Sequence, residues 1–107
     1  MGHELRNLHN AIVVYLTSST LRDRFTVGFN PETSRWVISF EKLSENEFND
    51  IFNVSSRLGL DPTQWDVCGN SEERHRTIRI AGLTSTQARD FARAVVARLG
   101  PARLSLK

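Results

Sequence analysis

Asp66, Cys68 and His75 are the residues whose types and spacing offer this chain the most chemistry. Cys68 and His75 flank an Asn70-Ser71-Glu72-Glu73 stretch with the composition of a turn. Antiparallel pairing about a centre near Ser71-Glu72 would set the thiol roughly opposite the imidazole, with the Asp66 carboxylate two residues along on the same face. A thiol becomes a nucleophile when a neighbouring base or cation favours the thiolate, so a thiol, an imidazole and a carboxylate on one surface form a minimal activated site. Three features weigh against it. The face is expected to be open rather than concave, no oxyanion donors accompany it, and an internal repeat puts Gly28 and Arg35 in the matching places. A lone cysteine in a strand commonly acts as a small apolar residue. No catalytic residue is therefore assigned, and a thiol-dependent enzyme at Cys68 and His75 is kept as a remote alternative.

The second chemical feature is positive charge. From Arg74 onward seven Arg and one Lys stand against Asp90 alone, so this part carries +7 while the whole chain carries +2. Clustered guanidinium groups concentrate positive potential and offer paired donors to carboxylate or phosphate. Arg35, Arg79, Arg89 and Arg93 are the candidate phosphate contacts of a nucleic-acid reading, with His75 in the same basic run. The aromatic residues of the strands fall on the inward parity, so no stacking platform for bases accompanies these charges. The same parity turns Arg74 and Arg76 inward or to the rim, where Arg76 replaces Trp36 of the first repeat and packs its stem over the core. Nucleic-acid binding is accordingly an alternative and not the first reading.

Other chemistries lack their minimum requirements. The chain has no Gly-rich phosphate loop, no His-Glu-x-x-His, no Cys-x-x-Cys and no Gly-x-Ser-x-Gly. The three histidines are scattered, which gives no metal site, and no cofactor is implied. One cysteine in the chain excludes an internal disulfide framework and suggests the reducing cytoplasm. The longest apolar run, Ala11 to Leu16, is six residues and too short for a bilayer. Asn53-Val54-Ser55 matches a glycosylation triplet but falls inside an expected helix.

The elements that must position these residues follow from an internal repeat. A shift of 40 positions lays Phe25–Asp50 over Trp65–Asp90 without a gap, with identities at Val27/Val67, Asn30/Asn70, Glu32/Glu72, Ile38/Ile78, Leu43/Leu83 and Asp50/Asp90. Each copy reads strand, turn, strand, helix. In the first, Phe25, Val27 and Phe29 and then Trp36, Ile38 and Phe40 alternate with small or polar residues around Asn30-Pro31-Glu32-Thr33. Ser44 and Glu47 form a capping box with Leu43 as the hydrophobic staple, Phe48, Ile51, Phe52, Ser55 and Leu58 make the apolar stripe, and Gly59 closes the helix. The second copy repeats this with Thr84 and Gln87 as the box, Ala88, Phe91, Ala92, Val95 and Leu99 as the stripe, and Gly100-Pro101 as the stop. The β-branched run at residues 11–16 suits either strand or helix, but Leu5, Leu8, Ile12, Tyr15 and Leu16 share one helical face, which predicts a helix over about 4–17.

At 107 residues the chain is read as one domain, with repeats at about 24–59 and 64–100 and a short C-terminal tail. Aromatic strand faces need a cover and amphipathic helices need a floor. The expected fold is a two-layer α+β sandwich of order α-ββ-α-ββ-α, with a four-stranded antiparallel sheet and the helices on one face. This element order resembles the secretion-chaperone type of fold as topology alone. The other sheet face should present Thr26, Gly28, Arg35, Val37 and Ser39 with Asp66, Cys68, His75, Thr77 and Arg79. A well-specified duplicated core without a catalytic constellation points first to a non-enzymatic protein-binding or adaptor module, homodimeric. Its contact candidates are Arg35, Val37, His75, Thr77, Arg79, Arg89 and Arg93.

Overall fold

The computed structural model describes residues 2–61, 65–69 and 76–100. Its elements run α1 (Gly2–Thr17), β1 (Phe25–Asn30), β2 (Arg35–Leu43), α2 (Glu45–Arg57), β3 (Asp66–Cys68), β4 (Arg76–Leu83) and α3 (Ser85–Leu99). The expected α-ββ-α-ββ-α order and the four-stranded antiparallel sheet are present, and the residues 11–16 are helical. The sheet order is β1-β2-β4-β3, so the two hairpins meet along β2 and β4.

That central seam carries the repeat into three dimensions. Ile38 pairs with Ile80 and Phe40 with Ile78; Trp36 pairs with Leu83 and Leu43 with Arg76. Each pair becomes the other of its set when residues are exchanged at the 40-residue spacing, and Ser39↔Arg79 maps onto itself. The sheet therefore has a local twofold axis through the Ser39–Arg79 pair. Two register shifts, one near each end of the seam, accompany left-handed backbone at Lys42 (φ 59°) and at its counterpart Gly82 (φ 75°). One extra residue on one strand at each place is the signature of a bulge. Glycine enters that backbone region at no Cβ cost, whereas lysine meets a steric penalty there.

Local signals set the helix ends. Ser44 and Glu47 complete one capping box and Thr84 and Gln87 the other, each with the side chain of the N-cap accepting from the third helical amide. At the end of α2, the Leu60 amide donates to the Ser55 carbonyl, which also accepts from the Leu58 amide, and the Gly59 amide donates to that of Ser56, so the last turn's carbonyls are satisfied. The first hairpin turn is closed by the Asn30 side chain, which accepts from the Glu32 amide at 2.9 Å.

The core lies between the sheet and the helices. Trp36, Ile38 and Phe40 from β2, Ile78 and Ile80 from β4, Ile12 and Leu16 from α1, and Phe91 and Val95 from α3 are buried. α3 packs on β2 and β4 with α1 on one side and α2 on the other, which makes it the central helix. Trp36 donates from its indole nitrogen to Ser85 Oγ at 3.1 Å, and its ring contacts Phe29 at 5.0 Å. Burial departs from the expected stripe at the margins. On α2, Val54 is buried while Phe52 and Leu58 are 42% and 38% exposed. α2 has α3 as a helical neighbour on one flank, so its stripe rotates toward that side. Phe25 and Val67, expected inward, are half-buried and 45% exposed because they sit on the edge strands.

Truncating Phe40 to Ala should cost about 3–5 kcal/mol in chemical denaturation, whereas Ser39→Ala on the opposite face should cost about 0.5 kcal/mol. Gly82→Ala meets no atom within 4 Å, so its cost is backbone strain alone. It should destabilise by about 1–2 kcal/mol, while Lys42→Gly at the matching bulge should be neutral or slightly stabilising by the same measurement.

Candidate binding surface

Strand parity leaves the second face of the sheet to solvent. β1 contributes Thr26, Gly28 and Asn30; β2 contributes Arg35, Val37, Ser39 and Glu41; β4 contributes Thr77, Arg79 and Ala81; β3 contributes Asp66 and Cys68. Arg35, Thr77 and Arg79 are exposed and Val37 is half-buried, as expected for this face. Arg35, Val37 and Arg79 are brought together around a shallow depression of about 260 Å³, completed by Asn30, Thr33, Trp36, Ala81 and Gly82. Its floor is largely apolar and its guanidinium groups stand on two adjacent strands. Thr77 lies two residues from Arg79 on the other side of the local axis, beside a smaller hollow of about 90 Å³ shared with Ser39 and Glu41.

The remaining nominated residues do not join this surface. Arg89 and Arg93 are exposed on α3, which covers the opposite face of the sheet, so the nominated positive charges are divided between the two sides of the sandwich. Arg89 is 3.5 Å from Asp90. Arg79 lies 3.4 Å from Asp66, an exposed pair in which the acid offsets part of the local positive charge. Arg76 turns inward and places its guanidinium 4.9 Å from the centre of the Phe48 ring, so it packs as expected.

The thiol arrangement needs correction. Cys68 pairs with Thr77 across the ladder, and Asp66 pairs with Arg79. The register therefore sets a hydroxyl, not the imidazole of His75, opposite the exposed thiol. The second copy keeps the register of the first, in which Gly28 opposes Val37, and not the register that pairing about Ser71-Glu72 would give. His75 itself lies outside the described residues.

Three features were not legible as sites. Between α2 and α3 a groove of about 290 Å³ is lined by Val54, Arg57, Leu58, Ala94, Ala97 and Arg98, and Arg98 donates to Asp50 at 2.9 Å beside it. A cleft of about 160 Å³ runs past Trp65, Gly82 and Gln87, where the buried Trp65 indole nitrogen has no hydrogen-bond partner. The third is an ion pair. Arg24 donates to both carboxylate oxygens of Glu47 at 3.0 and 2.9 Å and also to the Lys42 and Thr20 carbonyls. The sequence marks Glu47 as a helix cap; its second partner is 23 positions away and carries no local signal.

Burial pushes the Glu47 carboxyl up, but hydrogen bonds from Arg24 and from Ser44, with the positive charge beside it, hold it below its ordinary value. The hydrogen bond to Glu47 likewise raises Arg24 against the opposing effect of burial. The side chains are 24% and 20% exposed, so the pair is shielded more than a surface bridge. Comparison of the chain with protein-family models, curated proteins and solved structures finds no match.

A carboxyl lowered in the folded state adds stability above the ordinary glutamate range and loses it as pH falls through the folded value. Glu47→Gln should keep the cap, as Gln87 does at the matching position, and remove the charge on the arm to Arg24. Wild type should exceed the variant by about 1–3 kcal/mol at neutral pH, with the difference vanishing in strong acid, as read from denaturation midpoints across pH.

Proposed function

We propose that the protein is a small non-enzymatic binding module, homodimeric, that presents its open sheet face to a protein partner through Arg35, Val37, Thr77 and Arg79. The observation that carries this reading is the meeting of Arg35, Val37 and Arg79 at one depression with an apolar floor. A volume of about 260 Å³ falls below the usual range for sites that bury a small organic ligand. A shallow apolar strip with two guanidinium groups instead suits a protein segment that places one apolar side chain over Val37 and a carboxylate against Arg35 or Arg79. The apolar contact supplies desolvation, and the charge pairs supply orientation and a faster encounter.

Affinity capture from the native host with the wild-type chain, with Arg35→Glu/Arg79→Glu and with Arg89→Glu/Arg93→Glu tests this directly. The partner should be retained by the α3 variant and lost, or weakened by about tenfold or more, by the sheet-face variant. Equal retention by both variants overturns the assignment of the face. Titration with mixed-sequence DNA and RNA at low ionic strength supplies the second arm. Binding there that weakens steeply with salt and falls with the α3 variant would favour nucleic acid over a protein partner.

A further inference from the structure

We infer that a second copy of this chain pairs antiparallel along the free edge of β1, joining two sheets into one across a molecular twofold. The inference deepens the homodimeric part of the proposed function, resting on it for stoichiometry alone. Among the described residues β1 pairs with β2 and with no other strand. The Glu41 amide donates to the Arg24 carbonyl at 2.9 Å, and the register continues from that pair through Phe25↔Phe40 to Asn30↔Arg35. Alternate residues of an antiparallel strand bond to a given neighbour. Thr26, Gly28 and Asn30 therefore bond to β2, while Phe25, Val27 and Phe29 turn their amides and carbonyls to the open edge.

The two edges of the sheet differ in the devices that block such pairing. β3 has three residues, one of them Asp66 in its ion pair with Arg79. β1 has six residues, FTVGFN, with no charge, no proline and no register shift against β2. A short, charged edge resists strand addition and a longer, uncharged, regular one invites it. The inner-face side chains agree. Trp36, Ile38 and Phe40 on β2 are fully buried, whereas Phe29, Val27 and Phe25 opposite them are half-buried, so the apolar row is unfinished at this edge.

Charge selects a second copy as the occupant. Arg22 and Glu32 are exposed and stand five residues before and after Val27. Antiparallel pairing centred on Val27 sets Phe25 against Phe29 of the second copy and brings Arg22 toward Glu32 of the second copy, twice by symmetry. The apolar row is then continued by its own kind and the flanking charges are complementary.

Sedimentation across a concentration series, combined with residue-resolved amide exchange, tests the pairing. The chain should dimerise, and the Phe25, Val27 and Phe29 amides should slow by about tenfold or more as it does, while those of Thr26 and Gly28 are slow throughout. Arg22→Glu should weaken dimerisation by roughly tenfold and Arg22→Glu/Glu32→Arg should restore it, both at exposed positions that leave the fold intact. A dimer whose Phe25, Val27 and Phe29 amides exchange as in the monomer overturns the β1 edge but leaves the homodimer standing. A chain that stays monomeric at all concentrations overturns both, and protection of these amides only when an extended partner peptide is added overturns the second copy as the occupant of this edge; the sheet-face reading is judged separately by its own variants.

Discussion

The antiparallel seam between β2 and β4 is the constraint on which the rest of the molecule depends. It joins the two repeats at their second strands and creates a local twofold through Ser39 and Arg79. An antiparallel pair is the arrangement in which two copies of one strand can meet symmetrically, because each then presents the same edge to the other. With the seam in place, β1 and β3 are forced to the outside and the bulges at Lys42 and Gly82 fall at matching places. Ile38, Phe40, Ile78 and Ile80 are centred beneath the helices and carry little or no exposure.

The symmetry is broken where a third helix enters. α1, α2 and α3 share the inner face, but α3 alone sits over the seam with a helix on each side. A central element is buried around more of its circumference than a flanking one. Ala88, Phe91, Ala92 and Val95 are accordingly enclosed, whereas Phe52 and Leu58 on α2 keep contact with solvent. The same unequal cover leaves the second sheet face bare and puts Arg89 and Arg93 on the other side of the molecule from Arg35 and Arg79.

The copies have also diverged in polar detail. Glu47 and Gln87 perform the same capping task, but the carboxylate additionally draws in Arg24 and ties the chain before β1 to the bulge at Lys42 and to the start of α2. A neutral amide has no charge with which to reinforce such a clamp. At the edges, Asp66 and Arg79 place an ion pair next to the short β3, while the longer β1 is bounded by charges only at its ends. The two repeats share one scaffold, and their equivalent positions carry different polar contacts.

Most of the fold was legible because its signals are local. The capping boxes, Gly59 and the strand parity act through neighbouring residues and the backbone, so they can be read wherever they occur, and the 40-residue period shows the same local signals twice. The outward set of Arg35, Val37, Thr77 and Arg79 followed from parity in the same way. The register of β3 against β4, which pairs Cys68 with Thr77, was not local, since one strand can slide along the other without changing either strand's own pattern. The Arg24–Glu47 clamp, the strand order, the division of the arginines between two faces and the gathering of Arg35 with Arg79 join distant segments. Tertiary packing decided these, because only it determines which distant elements become neighbours and how much of each they cover.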